Sequence, residues 1–530
     1  MTELLVELHG ARLMAGGIQV PPENCLPGDR VDATGHFLSR DPSFTLGLVV
    51  SVTEKSTTVS FPLYGPACPS RATLKEVYAA VGDRLVLELY SSGAIICRKV
   101  EGPEARADAR LLTALYQQTP ATLGPDLPGF RPHHYTRAGV TDHTDLDTFT
   151  IDPASTVDYD DALSVGTDGT VYIHIVDIMA AMHRIDLPRT RAMGSSLYLA
   201  NERTEHLMDP DVLADLTLEE GRIRSVITVA VTLDSEGAVT HYDIYRSTIL
   251  VKRRFTYETA ATLLDSHPGL AFLHRIATRR SSTVQYKIEM PSLRLTMNGV
   301  GEPIEAYLES TNDDAHALVA TAMILCNLVV SHHLKRAGLD LPNRFHAPLR
   351  GIPVEKQVDP TDLAATFCLL KKMARAEYSV NQHGHFGLGL TDYVHFTSPM
   401  RRYADIVVHM ILAGADFSPA DLELEVAALN RRATFVRTLQ RYYTTVKTDR
   451  WLRARESEGH AVTVTSVAAA GVQWFMPSLL LNGFCHVSRL RPAQRWSLDS
   501  TGALAGLSKR IRLWDRLTAT FIDGAMTLSV

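Results

Sequence analysis

The sequence predicts an α+β protein with β-rich ends around a large mixed centre, and three observations predict it. Residues 1 to about 100 alternate short apolar runs such as "TLGLVVSVTEKSTTVSF" and "DRLVLELYSSGAIICRKV" with turn signals such as "PGD" and "YGPACP", as small barrels do. Residues from about 140 to 455 mix period-two runs with helical ones. The last stretch, 458–530, returns to short strands around "NGFCHVSRL" and ends in "LTATFIDGAMTLSV", whose Asp-Gly pair signals a hairpin. A chain of 530 residues is too long for one core.

Taken in order, residues 1–105 form a β-rich domain, interrupted by one short helix at "TLKEVYAAV". A helix at about 106–118 leads into "TPATLGPDLPGFRPHH", whose proline and glycine mark a linker or surface clamp over 106–139. The large mixed centre spans 140–455. In it "ALVATAMILCNLVV", Ala317 to Val330, is interrupted by Asn327 and falls short of the ~20 residues a membrane span needs. It reads as a buried helix, and no membrane partner is expected.

Composition excludes several classes. Hydrophobic residues make up 45% and charged residues 21%, which is ordinary globular material without repeats or low-complexity tracts. The six cysteines form no CxxC pair, so neither a zinc site nor a disulfide framework is expected. Glu3 and Glu7 stand where a targeting signal would carry basic residues. Together these favour mature sequence and a cytoplasmic location. The net charge of -6 argues against coating nucleic acid through overall charge, yet the positives are segregated. Arg431, Arg432, Arg437, Arg441, Lys447, Arg450, Arg453 and Arg455 face a single acid, Asp449, and a second cluster holds Arg489, Arg491, Arg495, Lys509, Arg510, Arg512 and Arg516. These two regions are expected to line the path of any nucleic-acid strand the protein binds, through phosphate contacts.

The most unusual stretch is "TFTIDPASTVDYDDALSV", residues 148–165, with four aspartates inside ten positions. "TFTI" alternates as a strand and delivers Asp152 at its end, and "ALSV" begins a strand after Asp161. Asp152, Asp158, Asp160 and Asp161 therefore sit on a loop pinned at both ends. Like carboxylates held together repel unless protonated or neutralised by a cation, and converging oxygens suit magnesium or manganese. An EF-hand needs glycine and glutamate where Val157 and Leu163 stand. A solvated acidic loop is the plainer alternative. An Asp168-Gly169 turn folds "VYIHIVDI" back beside "ALSV", which would bring His174 and Asp177 near the cluster.

A second constellation is "HFGLGLTDYVHFTSPMRRYADIVVHMIL", His385 to Leu412. Thr397 or Ser398 reads as an N-cap and Pro399 as the first helical residue. The first turn then carries Arg401 and Arg402, bidentate donors at a helix N-terminus suited to phosphate oxygens, with Tyr403 beside them on the substrate side. Arg401, Asp405 and His409 recur at every fourth position and would share a face. An exposed salt-bridged helix is the alternative. Taken together, the two passages describe metal-assisted phosphodiester hydrolysis, and no Walker-type loop suggests an ATPase.

These passages resemble the two signatures of the ribonuclease II / ribonuclease R (RNB) family, and the resemblance extends to "GSSLYLANERTEHLMDPDVLADLTLEEGR" and covers roughly residues 140–450. It implies an α+β architecture: an RNB-type catalytic domain at 140–455, a β-rich N-terminal domain at 1–105 that is OB/cold-shock-like or a replacement for one, and a C-terminal OB-fold RNA-binding barrel at 458–530. It implies a monomeric, Mg²⁺-dependent hydrolytic exoribonuclease (Mn²⁺ a possible substitute) that digests single-stranded RNA 3′ to 5′ and releases nucleoside 5′-monophosphates. Asp152, Asp158, Asp160 and Asp161 would be the metal-centred catalytic set and Arg401 would contact the reacting phosphate. Tyr198, in "SSLYL", would stack on a base near the 3′ end, where the residues alone suggest a core tyrosine. Two other readings stay open: an inactive RNA-binding regulator on the same fold, and a DNA nuclease, which the metal site alone does not separate from an RNA one.

Overall fold

The computed structural model describes the chain apart from residues 1–3, 10–11, 23–24, 28, 35, 41–42, 54–55, 65–68, 76, 78, 82, 90–91, 93, 103–104, 118–127, 131–132, 201–203, 282–289, 311–312, 349–358, 360 and 523–524. Most of "TPATLGPDLPGFRPHH", part of "LANERT" and the Asp-Gly pair expected to turn the last hairpin thus lie outside the described residues.

The N-terminal region contains two small β clusters. Two three-stranded sheets share a core of Val6, Leu13, Val20 and Val31. A five-stranded antiparallel sheet follows, with Ser43–Val52 at its centre and Val49, Val59, Leu85 and Leu87 inside. The helix expected at "TLKEVYAAV" is not there. Arg71–Leu74 is a strand, and no described residue from 75 to 81 is helical. Ala72 and Leu74 keep a period of two, and pairing with Thr57–Ser60 buries both. That tertiary pairing outweighs a weak local helical preference.

The helix Ala105–Gln117 ties this region to the centre. Its Leu111, Leu112, Leu115 and Tyr116 are fully buried, and its buried Asp108 takes Arg84 from the N-terminal sheet at 2.7 Å and Arg450 from the long helix Pro419–Arg453 at 3.6 Å.

At the centre lies a six-stranded sheet. Its order is Val140–Asp142, Val239–Thr256, Thr148–Asp152, Asp161–Val165, Val171–Val176 and Ile223–Leu233, and the last strand pairs back onto the 18-residue Val239–Thr256. Closure buries both faces of the strand Val171–Val176, so His174 belongs to the core. Ser164 Oγ and Thr228 Oγ1 lie 2.7 and 2.8 Å from its two ring nitrogens, and burial pushes its pKa down to about 3. Asp177 caps the short helix Ile178–Arg184 and pairs with Arg246 at 2.7 Å. Neither residue lines the aspartate site, which corrects the expectation that they would stand beside it.

The apolar run at 317–330 is part of a 23-residue helix, Asp314–Arg336, long and apolar enough to cross a membrane by composition. Here it packs inward, with Leu318, Leu325, Val330 and Leu334 in the central core.

Beyond the 35-residue helix Pro419–Arg453, five strands between Gly459 and Ser529 form the C-terminal sheet, with Leu490–Arg491 added at the edge. Its core includes Leu452, the barrel's link to the helix.

The basic helix is more committed than its charge suggests. Arg432, expected on the RNA path, is half-buried; it donates to the carbonyls of Met193 (2.9 Å) and Tyr116 and lies over the Tyr116 ring. Gly194 makes the seat, since its φ is +71° and a Cβ there would meet Arg432 Cγ at 2.6 Å. In the barrel, Arg510 is paired with Asp499. Arg432→Gln should therefore cost roughly 1–3 kcal/mol of stability by stranding buried carbonyls and leave the salt dependence of RNA binding unchanged. Thermal melts and a salt titration check this; a flatter salt slope would return Arg432 to the strand.

Candidate active site

The loop after Thr148–Asp152 is fixed from several sides. Arg254 donates to the Ala154 carbonyl at 3.0 Å, Thr217 Oγ1 accepts from the Tyr159 amide at 2.8 Å and donates to the Val157 carbonyl at 3.1 Å, and the Leu218 amide reaches the Tyr159 carbonyl at 3.1 Å. A loop held this tightly keeps its like charges together at a cost that folding alone does not explain. All four aspartates line one cavity of about 440 Å³, together with Tyr198, Tyr257, Asn327, Tyr393, Ser398, Arg401 and Arg402. A larger cavity of about 570 Å³, at Thr136, His241, Tyr242, His333 and Arg336, has no carboxylate in its wall.

Asp160 is the hinge of the site. Only 3% exposed, it accepts the Met400 amide through Oδ1 at 2.9 Å and meets Arg401 Nε through Oδ2 at 3.2 Å. Arg401 Nη2 donates to Ser398 Oγ at 2.9 Å, so the guanidinium is held along one edge and keeps three further N–H donors.

These contacts correct the expected helix. Thr397 to Arg402 is a turn, with Arg402 at the N-cap in extended geometry, and the helix runs Tyr403–Leu412. Asp160 takes the Met400 amide and Asp405 takes the Ser398 amide at 2.8 Å, so carboxylates satisfy the N–H groups that a helix would have left open there. The expected shared face dissolves with it. Asp405 holds Arg402 at 2.8 Å, Arg401 turns to Asp160, and His409 is buried against Phe396, whose carbonyl takes Nε2 at 2.9 Å. Tyr403 does not face the cavity as expected; its amide donates to the Gly194 carbonyl at 2.9 Å and its ring is buried beside Glu425 and Arg191.

Tyr198 is not a core tyrosine. It is 41% exposed, and its hydroxyl donates to Asp158 Oδ2 at 3.3 Å. Burial of the phenol, and then the Asp158 charge, push its pKa well up. Arg402 lines the wall with its Nε buried and without a hydrogen-bond partner among the described residues.

Tyr257 and Asn327 in the wall, and His206 next to Asp158, were not expected at the site from the sequence. Tyr257 follows Thr256, which pairs with Asp152 across a parallel ladder, and its ring stacks on His316 at 3.6 Å. Asn327 crosslinks the floor, donating to Tyr393 Oη at 3.0 Å and accepting the Phe396 amide at 2.8 Å. His206 Nδ1 lies 3.7 Å from Asp158 Oδ2. Long-range pairing creates all three neighbours, and sequence spacing carries no trace of it.

Electrostatics test whether this donor set suits a cation. Asp152, Asp160 and Asp161 are each pushed up to about 7, first by burial and then by one another, against the lowering effect of Arg401. Such carboxylates sit half-protonated near neutrality unless positive charge is added. Among the described residues no three acidic or imidazole groups converge enough to enclose an ion unaided. Magnesium bound through carboxylates keeps several waters and substrate oxygens in its shell and does not require such an enclosure. Because the folded pKa values lie above the unfolded value of ~3.9, the metal-free fold holds protons the unfolded chain has released, and its stability should fall as pH rises from about 4 through 7. Added Mg²⁺ should therefore raise Tm more at about pH 8 than at about pH 5.5. Melts at both values check this, and equal gains would count against a cation at the aspartates.

The chain is similar to known proteins over most of its length. The RNB domain model matches residues 140–415. Ribonuclease R of Chlamydia trachomatis is 26% identical, over 90% of this chain and 78% of its own length. The structure of Mycoplasma genitalium RNase R in complex with ribose-methylated single-stranded RNA superposes with a TM-score of 0.78 at 16% identity, covering all of both chains. Yeast Ssd1, a pseudonuclease, superposes with a TM-score of 0.67 at 17% identity, over 89% of this chain and 68% of its own. With the RNB domain spanning more than half its length and the aspartate and arginine passages inside that span, this chain belongs to the RNB family of ribonucleases.

Proposed function

We propose that the protein is a Mg²⁺-dependent hydrolytic exoribonuclease that digests single-stranded RNA from the 3′ end and releases nucleoside 5′-monophosphates. One observation carries the reading: four aspartates and an arginine held by one of them line a single cavity, beside a half-exposed tyrosine. Asp152, Asp158, Asp160 and Asp161 would hold the metal, which when bound supplies a nucleophilic hydroxide at neutral pH and shields phosphate charge. Arg401 binds the phosphate and meets the charge that builds on its oxygens. Asp160 orients Arg401, Ser398 fixes its other end, and the Met400 amide fixes Asp160. Tyr198 offers its ring to a base; stacking is tolerant of sequence because every base has a π-face.

Tyr198→Ala should lose roughly 1–3 kcal/mol of stacking and lengthen the final undegraded fragment, since the shortest products depend most on that anchor. An unchanged end product would remove Tyr198 from the substrate.

The alternative of an inactive RNA-binding protein has a fold neighbour in the yeast pseudonuclease, but the intact aspartate and arginine set speaks for catalysis. Single-stranded RNA labelled at either end, incubated with Mg²⁺ or chelator, tests the direction. Early loss of a 3′ label with gradual shortening of 5′-labelled strands supports the reading. Early loss of a 5′ label, internal fragments, or bound but intact RNA would overturn it.

A further inference from the structure

A second chamber of about 250 Å³ adjoins the aspartate cavity, and Tyr198, Arg401 and Arg402 belong to both walls. Beyond them it is lined by Arg344, Tyr378 and Arg437, with no carboxylate in the wall. Arg344 lies over the Tyr378 ring at 4.8 Å, and among the described residues Arg437 donates only to Thr434 Oγ1, at 3.1 Å. Partial burial, and after it the charges of Arg344 and Arg375, push the pKa of Arg437 down against the opposing effect of Tyr378. Neither Arg344, Arg375 nor Arg437 has an ion-pair partner among the described residues, and Arg402 Nε points its buried hydrogen at no acceptor.

Arg401 and Arg402 keep Asp160 and Asp405 as partners, but in a protein of net charge -6 Arg344 and Arg437 face each other without an acid among the described residues, and an anion relieves that repulsion. We propose that this chamber is a phosphomonoester site that receives the nucleoside 5′-monophosphate after cleavage. The assignment rests on the hydrolytic reading above. Two features select a mononucleotide over the RNA strand. The volume lies below the ~300–1,000 Å³ of pockets that enclose drug-sized ligands, which leaves room for one nucleotide. A phosphomonoester also carries about -1.5 to -2 charge near pH 7, close to twice that of a diester, so the unpaired arginines favour the product over the chain it came from. Tyr198 stands between the two cavities, so a nucleotide freed at the aspartates has a short path into the chamber.

The test is calorimetric binding of 5′-AMP to the full-length protein in chelator, with adenosine and inorganic phosphate as further arms, on wild type, Arg437→Gln and Arg344→Gln. Thermal melts establish that each variant is folded; Arg437 is exposed and tolerates the change. We expect 5′-AMP to bind wild type and to weaken about tenfold or more in the Arg437 variant, with adenosine failing to bind and single-stranded RNA affinity changing far less, which moves Arg437 from the strand path expected from the sequence to the product chamber. Phosphate binding alone would place a phosphate subsite there without a base pocket and overturn the nucleotide assignment. No binding of 5′-AMP to wild type, or equal weakening of 5′-AMP and RNA, overturns the proposal as well. The products of RNA digestion are identified separately: if they are not 5′-monophosphates while 5′-AMP still binds through Arg437, the hydrolytic reading fails and the phosphomonoester site stands.

Discussion

Replacing Asp160 by asparagine should abolish hydrolysis, by on the order of 10³-fold or about 4 kcal/mol, while single-stranded RNA binds within a few-fold of wild type. Asparagine keeps an oxygen for the Met400 amide, so the turn that presents Arg401 survives, but it removes one negative charge from the cluster and the partner of Arg401 Nε. Because Asp160 is pushed up by burial and by Asp161 and Asp158, the same change should raise the Tm of the metal-free protein at about pH 8, where the wild-type carboxylate is forced to ionise. A structural aspartate would behave the other way, with Tm, binding and cleavage lost together.

The second large effect is expected at Arg401. Its guanidinium spans from Asp160 to Ser398 Oγ along one edge, and the opposite edge remains for two phosphate oxygens. Lysine is a point charge that cannot hold both anchors and a bidentate contact. Arg401→Lys should reduce kcat by roughly 10²–10³-fold, the loss seen when one preorganised donor leaves a developing oxyanion, with a smaller change in KM. Near-normal turnover would take Arg401 out of the reaction; a change confined to KM would make it a general phosphate contact.

How much of this was legible follows from where each feature's physics is local. Clustered aspartates are conspicuous because repulsion makes them costly, so a chain that keeps four in ten positions displays its chemistry in its composition. The strands flanking the cluster and the Ala105–Gln117 helix have periodicities set by their own residues. What could not be read depends on partners distant in sequence. Tyr257 reaches the cavity because Thr256 pairs with Asp152 in parallel register. The helix at Tyr403 starts late because Asp160, some 240 positions earlier, takes the Met400 amide. Tyr403 and Arg432 looked like surface groups because a tyrosine or arginine beside other polar residues does, yet both meet Gly194 and its neighbours. Local capping rules placed Pro399 inside a helix, and tertiary hydrogen bonds overruled them.

In the proposed reaction, water activated at the aspartate cluster cleaves the 3′-terminal phosphodiester so that phosphate leaves with the released nucleotide. Digestion of single-stranded RNA in heavy-oxygen water with Mg²⁺, followed by mass spectrometry of the mononucleotides, tests it most directly. The account predicts nucleoside 5′-monophosphates with one solvent oxygen on phosphorus, formed by wild type and absent with Asp160→Asn or chelator. Products bearing 3′-phosphates, nucleotides without solvent oxygen, or full activity in the Asp160 variant would contradict it.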